Sequence, residues 1–225
     1  MRRTSPKSAL QKIAAPLLFE DKVVIASNGR SGSTLLQEAI AAGLIASRYP
    51  RLRGTPLAEP MQLLAMSFTQ DLSEVRSKPV PVQKTHDFFA PAYGNDARYL
   101  FVYGDPLDAA LSVRRMFQTE GAGWFRQHMA NMHSEASIEE LLLSDALYYE
   151  RQLISWGGAP RDRVLLLRYE QLWDRIDQVV DYLGFSIELP AYRDRERQPA
   201  PVGADMAVFE RLRGIMQDLD RKAGT

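Results

Sequence analysis

The run SNGRSGSTLLQE, residues 27–38, follows directly on the apolar segment KVVIA at 22–26. Its residue types suit an anion. Gly29 and Gly32 let the backbone turn tightly, Ser33 and Thr34 bring hydroxyl donors, and Arg30 carries a planar guanidinium that matches the oxygens of a terminal phosphate. A helix beginning here would aim its first N–H groups and the positive end of its dipole at the same place. The commonest phosphate loop reads G-x-x-x-x-G-K-[ST]. Aligned on Gly32 and Thr34, this chain has Ser27 for the first glycine and Ser33 for the lysine. Without that lysine the β- and γ-phosphates of a nucleotide triphosphate lose their fixed cation, which disfavours an ATPase or nucleotide kinase. A polar strand-to-helix turn with a capping serine explains the same residues without any ligand, and the loop alone does not decide.

Three further groups are of interest: Lys84 and His86 in QKTHDFF, the stretch GDPLDAALS from Gly104 to Ser112, and Arg168 to Glu170 in LLLRYEQL. Each follows a short apolar run of strand length: residues 79–84, 98–104 and 163–169. Together with residues 22–27 these make four strands, separated by segments with helical spacing at 31–46, 60–76, 106–118 and 137–156. Pro106 opens the third of these at its first turn. Residues 174–184 end a helix at Gly184, a natural C-cap, and a last helix spans 204–221. Residues 8–18 predict a short helix or arm, and residues 48–60, 119–134 and 189–201 predict irregular connections. Apolar strands alternating with helices imply a parallel sheet covered on both faces. Ligands of such sheets sit at the carboxyl ends of the strands, where all four polar groups fall.

The 225 residues suit one domain. Lys plus Arg equals Asp plus Glu at 28 each, so the formal net charge is zero, which argues against a nucleic-acid partner. The chain has no cysteine; thiolate metal sites and cysteine nucleophiles are excluded, and a reducing cytoplasm is the expected location. No segment approaches the ~20 apolar residues of a membrane span. His86, His128 and His133 show no metal-ligand spacing, so no metal is expected.

The motifs, taken in order, resemble the sulfotransferase superfamily that uses 3′-phosphoadenosine 5′-phosphosulfate (PAPS). N-G-R-S-G-S-T-L-L is similar to its 5′-phosphosulfate loop, which implies donor binding by Asn28, Gly29, Arg30, Ser31, Gly32, Ser33 and Thr34, with Arg30, Ser33 and Thr34 on the 5′-phosphate. G-D-P-L-D-A-A-L-S resembles its 3′-phosphate motif at Asp105, Pro106, Asp108 and Ser112, but Gly104 stands where the family has an arginine. K-T-H resembles the segment that places Lys84 and His86 beside the transferred group, and R-Y-E-Q-L the strand end whose tyrosine, here Tyr169, lies near the adenine. The R-K-G motif of the cytosolic enzymes is absent. R-S-G-S-T-L-L-Q-E and the spacing of Ala110, Ser112, Arg115, Gln118, Thr119 and Trp124 resemble the bacterial trehalose sulfotransferase type, in which the glutamate after the loop, here Glu38, is the proposed base.

The resemblance implies a P-loop-like three-layer α/β sandwich around a central parallel sheet, a single domain over 1–225 with an arm at 1–20, PAPS as donor and 3′-phosphoadenosine 5′-phosphate (PAP) as product. It implies transfer to a hydroxyl of a small molecule or glycan. The alternatives are a small-molecule kinase on the same fold and a non-catalytic nucleotide-binding relative. Sulfuryl transfer requires cations at the leaving phosphate and a base for the acceptor hydroxyl. Arg30 and Lys84 answer the first. Glu38 and His86 compete for the second, and the match to the bacterial branch puts Glu38 ahead. Ser112 and Arg115 lie three apart and share a helix face, so Arg115 is the candidate replacement for the arginine missing at Gly104. Segments 48–76 and 119–134 are expected to form the acceptor site, with His128 and His133 in a lid or surface loop rather than in the chemistry.

Overall fold

A computed structural model describes residues 22–75, 77–90, 97–193 and 199–224; the expected N-terminal arm and part of the 189–201 connection lie outside these residues. Five parallel strands form the sheet: β1 (Val23–Ser27), β2 (Met66–Phe68), β3 (Val82–Thr85), β4 (Arg98–Tyr103) and β5 (Val164–Arg168), in the order β2-β3-β1-β4-β5. The helices are α1 (Ser33–Arg48), α2 (Ala58–Ala65), α3 (Pro106–Asn131), α4 (Tyr149–Gly157), α5 (Ile176–Leu183) and α6 (Met206–Ala223).

Alternation along the two central strands builds the layers. Val23 and Ile25 of β1 and Leu100 and Val102 of β4 face a core with Leu36 and Ile40 of α1 and Val179 and Leu183 of α5. Val24, Ala26, Tyr99, Phe101 and Tyr103 face the opposite core with Leu107 and Val113 of α3, Leu153 and Trp156 of α4 and Phe209 and Leu212 of α6. Trp156 is wholly buried and stacks on Phe101, centroids 5.5 Å apart and planes 9° from parallel. The result is the three-layer α/β sandwich expected from the strand pattern. From β1 the chain crosses to the edge strand β2, returns through β3 beside β1 and then crosses to β4 on the other side, so the end of β1 is the point where strand order reverses, which is where such sheets bind ligands.

Three elements differ from the sequence expectation. The helix expected over 60–76 stops at Ala65, and Met66–Phe68 pairs with Val82–Lys84 as an edge strand. The fully buried Thr69 hydroxyl, bonded at 2.6 Å to Gln83, and the Gln37 amide, bonded to the Ser67 and Val82 carbonyls at 2.8 and 3.2 Å, hold it there. Pairing with β3 overrides the local helical pattern. The long helix expected over 137–156 is a single 3₁₀ turn at Glu140–Leu142 and the shorter α4. The Asp145 carboxylate accepts from the N–H groups of Tyr149 and Glu150 at 2.7 and 2.9 Å, so it caps a new helix instead of continuing an old one. Conversely, the irregular segment expected at 119–134 is helical through Asn131. Only Gly121, at φ 80° and ψ −175°, leaves helical geometry, and buried Phe125 and Met129, four residues apart, anchor the second half to the core.

Candidate active site

Helix α1 starts at the left-handed Gly32 (φ 79°) with no capping side chain and no acidic residue in its first turn. By contrast α3 and α6 are capped by the carboxylates of Asp105 and Asp205. The first N–H groups of α1 are thus not met by a side-chain cap, at the switch point of the sheet. Gly32 is required twice over. Its φ disfavours any side chain, and a Cβ there would lie 2.2 Å from the ring of Tyr169. Gly32→Ala is therefore expected to destabilise the fold by about 2–4 kcal/mol, combining left-handed strain and overpacking. Urea denaturation checks this, and Tyr169→Ala in the same background should recover the packing part only.

A cavity of about 360 Å³ opens beside this turn, lined by Arg30, Ser33, Thr34, Lys84, His86 and His128 among others. Loop and strand β3 therefore converge as expected. Lys84 Nζ donates to Thr34 Oγ1 at 2.8 Å. Burial and the nearby Arg30 charge lower the Lys84 pKa, against the opposing pull of Glu38. Arg30, itself at φ 55°, donates from Nε to Ser112 Oγ at 3.0 Å, joining the loop to α3.

His86 is almost completely buried at the end of β3. Its Nδ1 lies 2.9 Å from the Ser27 carbonyl and 3.1 Å from the Ser27 hydroxyl. A carbonyl only accepts, so Nδ1 carries the proton and Nε2 keeps its lone pair. Burial pushes the pKa down to about 3; the imidazole is neutral. Helix α4 holds the adjoining backbone: Gln152 Nε2 donates to the His86 carbonyl at 2.6 Å and Trp156 Nε1 to that of Asp87 at 3.0 Å.

Glu38 lies on the exposed face of α1 and does not line the cavity. Ser31 donates to the Gly29 carbonyl at 3.1 Å. Asn28 is completely buried, and neither atom of its amide has a protein partner. Tyr169 is buried beneath Gly32 and meets Trp173 edge-on. Arg115 is exposed and also outside the cavity lining. At Gly104 the Glu170 carboxylate stands 3.4 Å from where a Cβ would be and accepts from the Asp105 N–H at 3.2 Å. A side chain there would meet that carboxylate first.

Two features go beyond the sequence expectation. Trp124, His128 and Asn131 line the cavity from the second half of α3, where the glycines at 121 and 123 hid the i, i+4 spacing of Trp124 and His128. The rings of His86 and His128 are 6.2 Å apart. Arg213 of α6 forms a forked pair with Asp105 at 2.6 and 3.1 Å, a partnership across the fold with no local signal. Of the expected acceptor segments, 119–134 contributes these three residues and 48–76 contributes Phe68. Arg53, in the first of these segments, pairs with Glu188 at 2.9 Å on the surface. Among the described residues no helix is long and apolar enough to cross a membrane, and no cluster of three or more His, Asp or Glu could hold a metal.

No protein-family model matches the chain, and no curated protein does. Among solved structures the fold is similar to that of mouse sulfotransferase SULT7A1 complexed with PAP, at 13% identity over 96% of this chain and 70% of that one, with a TM-score of 0.42.

Proposed function

We propose that the protein is a sulfotransferase that moves a sulfuryl group from PAPS to a hydroxyl of a small molecule or glycan. The observation that carries this reading is one cavity that gathers Arg30, Thr34, Lys84 and His86 at an uncapped helix start, with Ser33 where a triphosphate loop needs lysine. In this reading the 5′-phosphosulfate lies on the loop. Arg30, the Ser33 and Thr34 N–H groups and Lys84 stabilise the charge that grows on the leaving 5′-phosphate. The acceptor oxygen bonds to sulfur as the bond from sulfur to the phosphate oxygen breaks. The acceptor proton passes to Nε2 of His86, the nitrogen left unprotonated by the Ser27 carbonyl. His86 is the base of this reading because it lines the cavity, and a donor anion on the loop would raise its depressed pKa; Glu38, one turn past Thr34, is the rival.

Thermal unfolding separates this from the kinase reading. PAP should raise the melting temperature and ATP with Mg²⁺ should not; the reverse pattern would favour a kinase. Turnover of PAPS in an acceptor screen separates an enzyme from a relative that binds without reacting.

The 3′-phosphate is a further point. With Arg115 exposed, Arg115→Ala is expected to leave the ratio of affinities for PAP and adenosine 5′-phosphate within twofold of wild type. Calorimetry checks this, and a collapse of the preference would restore Arg115 as the substitute for the arginine missing at Gly104.

A further inference from the structure

His128 borders the cavity without a part in the transfer described above. Its ring lies flat on Trp124, with centroids 4.8 Å apart and planes 8° from parallel, and the Arg30 guanidinium is 6.0 Å from the centre of that same tryptophan. Yet Nε2 of His128 is shut off from solvent with no protein partner. An unpaired buried nitrogen is a cost, and a phenylalanine would make the same stack without it. The orphaned amide of Asn28, next to Gly29 in the chain, means that unsatisfied polar groups occur on the loop as well as above it.

The ring has a way out of this state. Its Cε1 edge faces the loop, 3.5 Å from the place a Cβ on Gly29 would take. A half-turn about Cβ–Cγ exchanges Nε2 with Cε1 and keeps the ring in its plane against Trp124; this torsion is broad and roughly two-fold for histidine. The turned ring sets Nε2 beside Gly29 of the loop, where the Met132 side chain also packs. Burial, with the Arg30 and Lys84 charges beside it, pushes the His128 pKa down to about 4. At neutral pH the ring is uncharged and has one N–H to give.

We infer that His128 is a binding residue of this site: with its ring turned on Trp124, Nε2–H donates to an oxygen of a phosphate- or sulfate-type oxyanion held on the loop. This rests on reading the loop as an anion site. The other polar side chains lining the same space are Arg30, Ser33, Thr34, Lys84, His86 and Asn131, so the bound oxyanion meets donors from the loop, from β3 and from α3.

The test is a calorimetric titration of the full chain with inorganic sulfate and with PAP, in wild type, His128→Phe and Arg30→Ala. Phenylalanine keeps the stack on Trp124 and removes both nitrogens. The inference requires that His128→Phe bind PAP about tenfold more weakly with no drop in melting temperature, and that the Nε2–H signal of His128 in wild type shift on saturation with PAP. A matching loss with sulfate assigns the oxygen to a free oxyanion on the loop; a loss with PAP alone assigns it to the nucleotide's phosphate. If His128→Phe binds like wild type while Arg30→Ala does not, or if the Nε2–H signal stays put, the inference fails and the anion reading stands. If Arg30→Ala also binds like wild type, or wild type binds neither probe, both fail. Should His128→Phe unfold, the wild-type Nε2–H signal decides alone.

Discussion

Arg30→Ala is expected to weaken PAP binding by about 100-fold and to lower turnover further, while the fold survives. Hydrogen bonds to a charged group contribute about 1.5–3 kcal/mol each, and a guanidinium on a phosphate makes two of them. During transfer, negative charge moves onto the 5′-phosphate, so the same contact strengthens; loss of one such stabilising group costs about 10²–10³ in rate. The half-buried Arg30 also joins the loop to α3 through Ser112, so the unfolding midpoint of the variant must be measured beside its affinity. Unchanged PAP affinity in a folded variant would remove the loop from donor binding.

The second large effect concerns the base. His86→Gln is expected to lower turnover about 10²–10⁴-fold, the range over which general bases act, with PAP affinity near wild type. Glutamine keeps a side-chain donor for the Ser27 carbonyl but has no lone-pair nitrogen to receive a proton. Glu38→Gln is expected to lower turnover less than His86→Gln, because Glu38, on the exposed face of α1, reaches the site through its pull on the Lys84 charge and not through the cavity lining. Both are read by initial rates once an acceptor is in hand. Loss in Glu38→Gln with retention in His86→Gln would reverse the assignment and favour the base implied by the resemblance to the bacterial branch.

Much of this site was legible because its signals are local. The end of β1, the two glycines, Arg30 and Thr34 lie within a dozen residues. Lys84 and His86 sit just where a strand ends, and Gly184 closes α5 in the left-handed conformation its position suggests (φ 78°). The rest depended on partners distant in the chain. Strand β2 exists because β3 offers it a ladder. Helix α3 continues past Gly121 because Phe125 and Met129 have a core to enter, and that continuation brings His128 to the cavity. The Arg213–Asp105 pair spans 108 positions, and the carboxylate occupying the space at Gly104 comes from Glu170. Glu38 and Arg115, one turn from Thr34 and Ser112, are both exposed, and Glu38 still acts on Lys84 through its charge.

A crystal structure with PAP bound tests donor binding at the loop most directly. The 5′-phosphate is expected at the start of α1, with its oxygens within hydrogen-bond distance of the Arg30 guanidinium, the Ser33 and Thr34 N–H groups and Lys84 Nζ, and with His86 Nε2 facing the space where the sulfuryl group would stand. PAP bound elsewhere, or a 5′-phosphate out of reach of Arg30 and the α1 N–H groups, would contradict it.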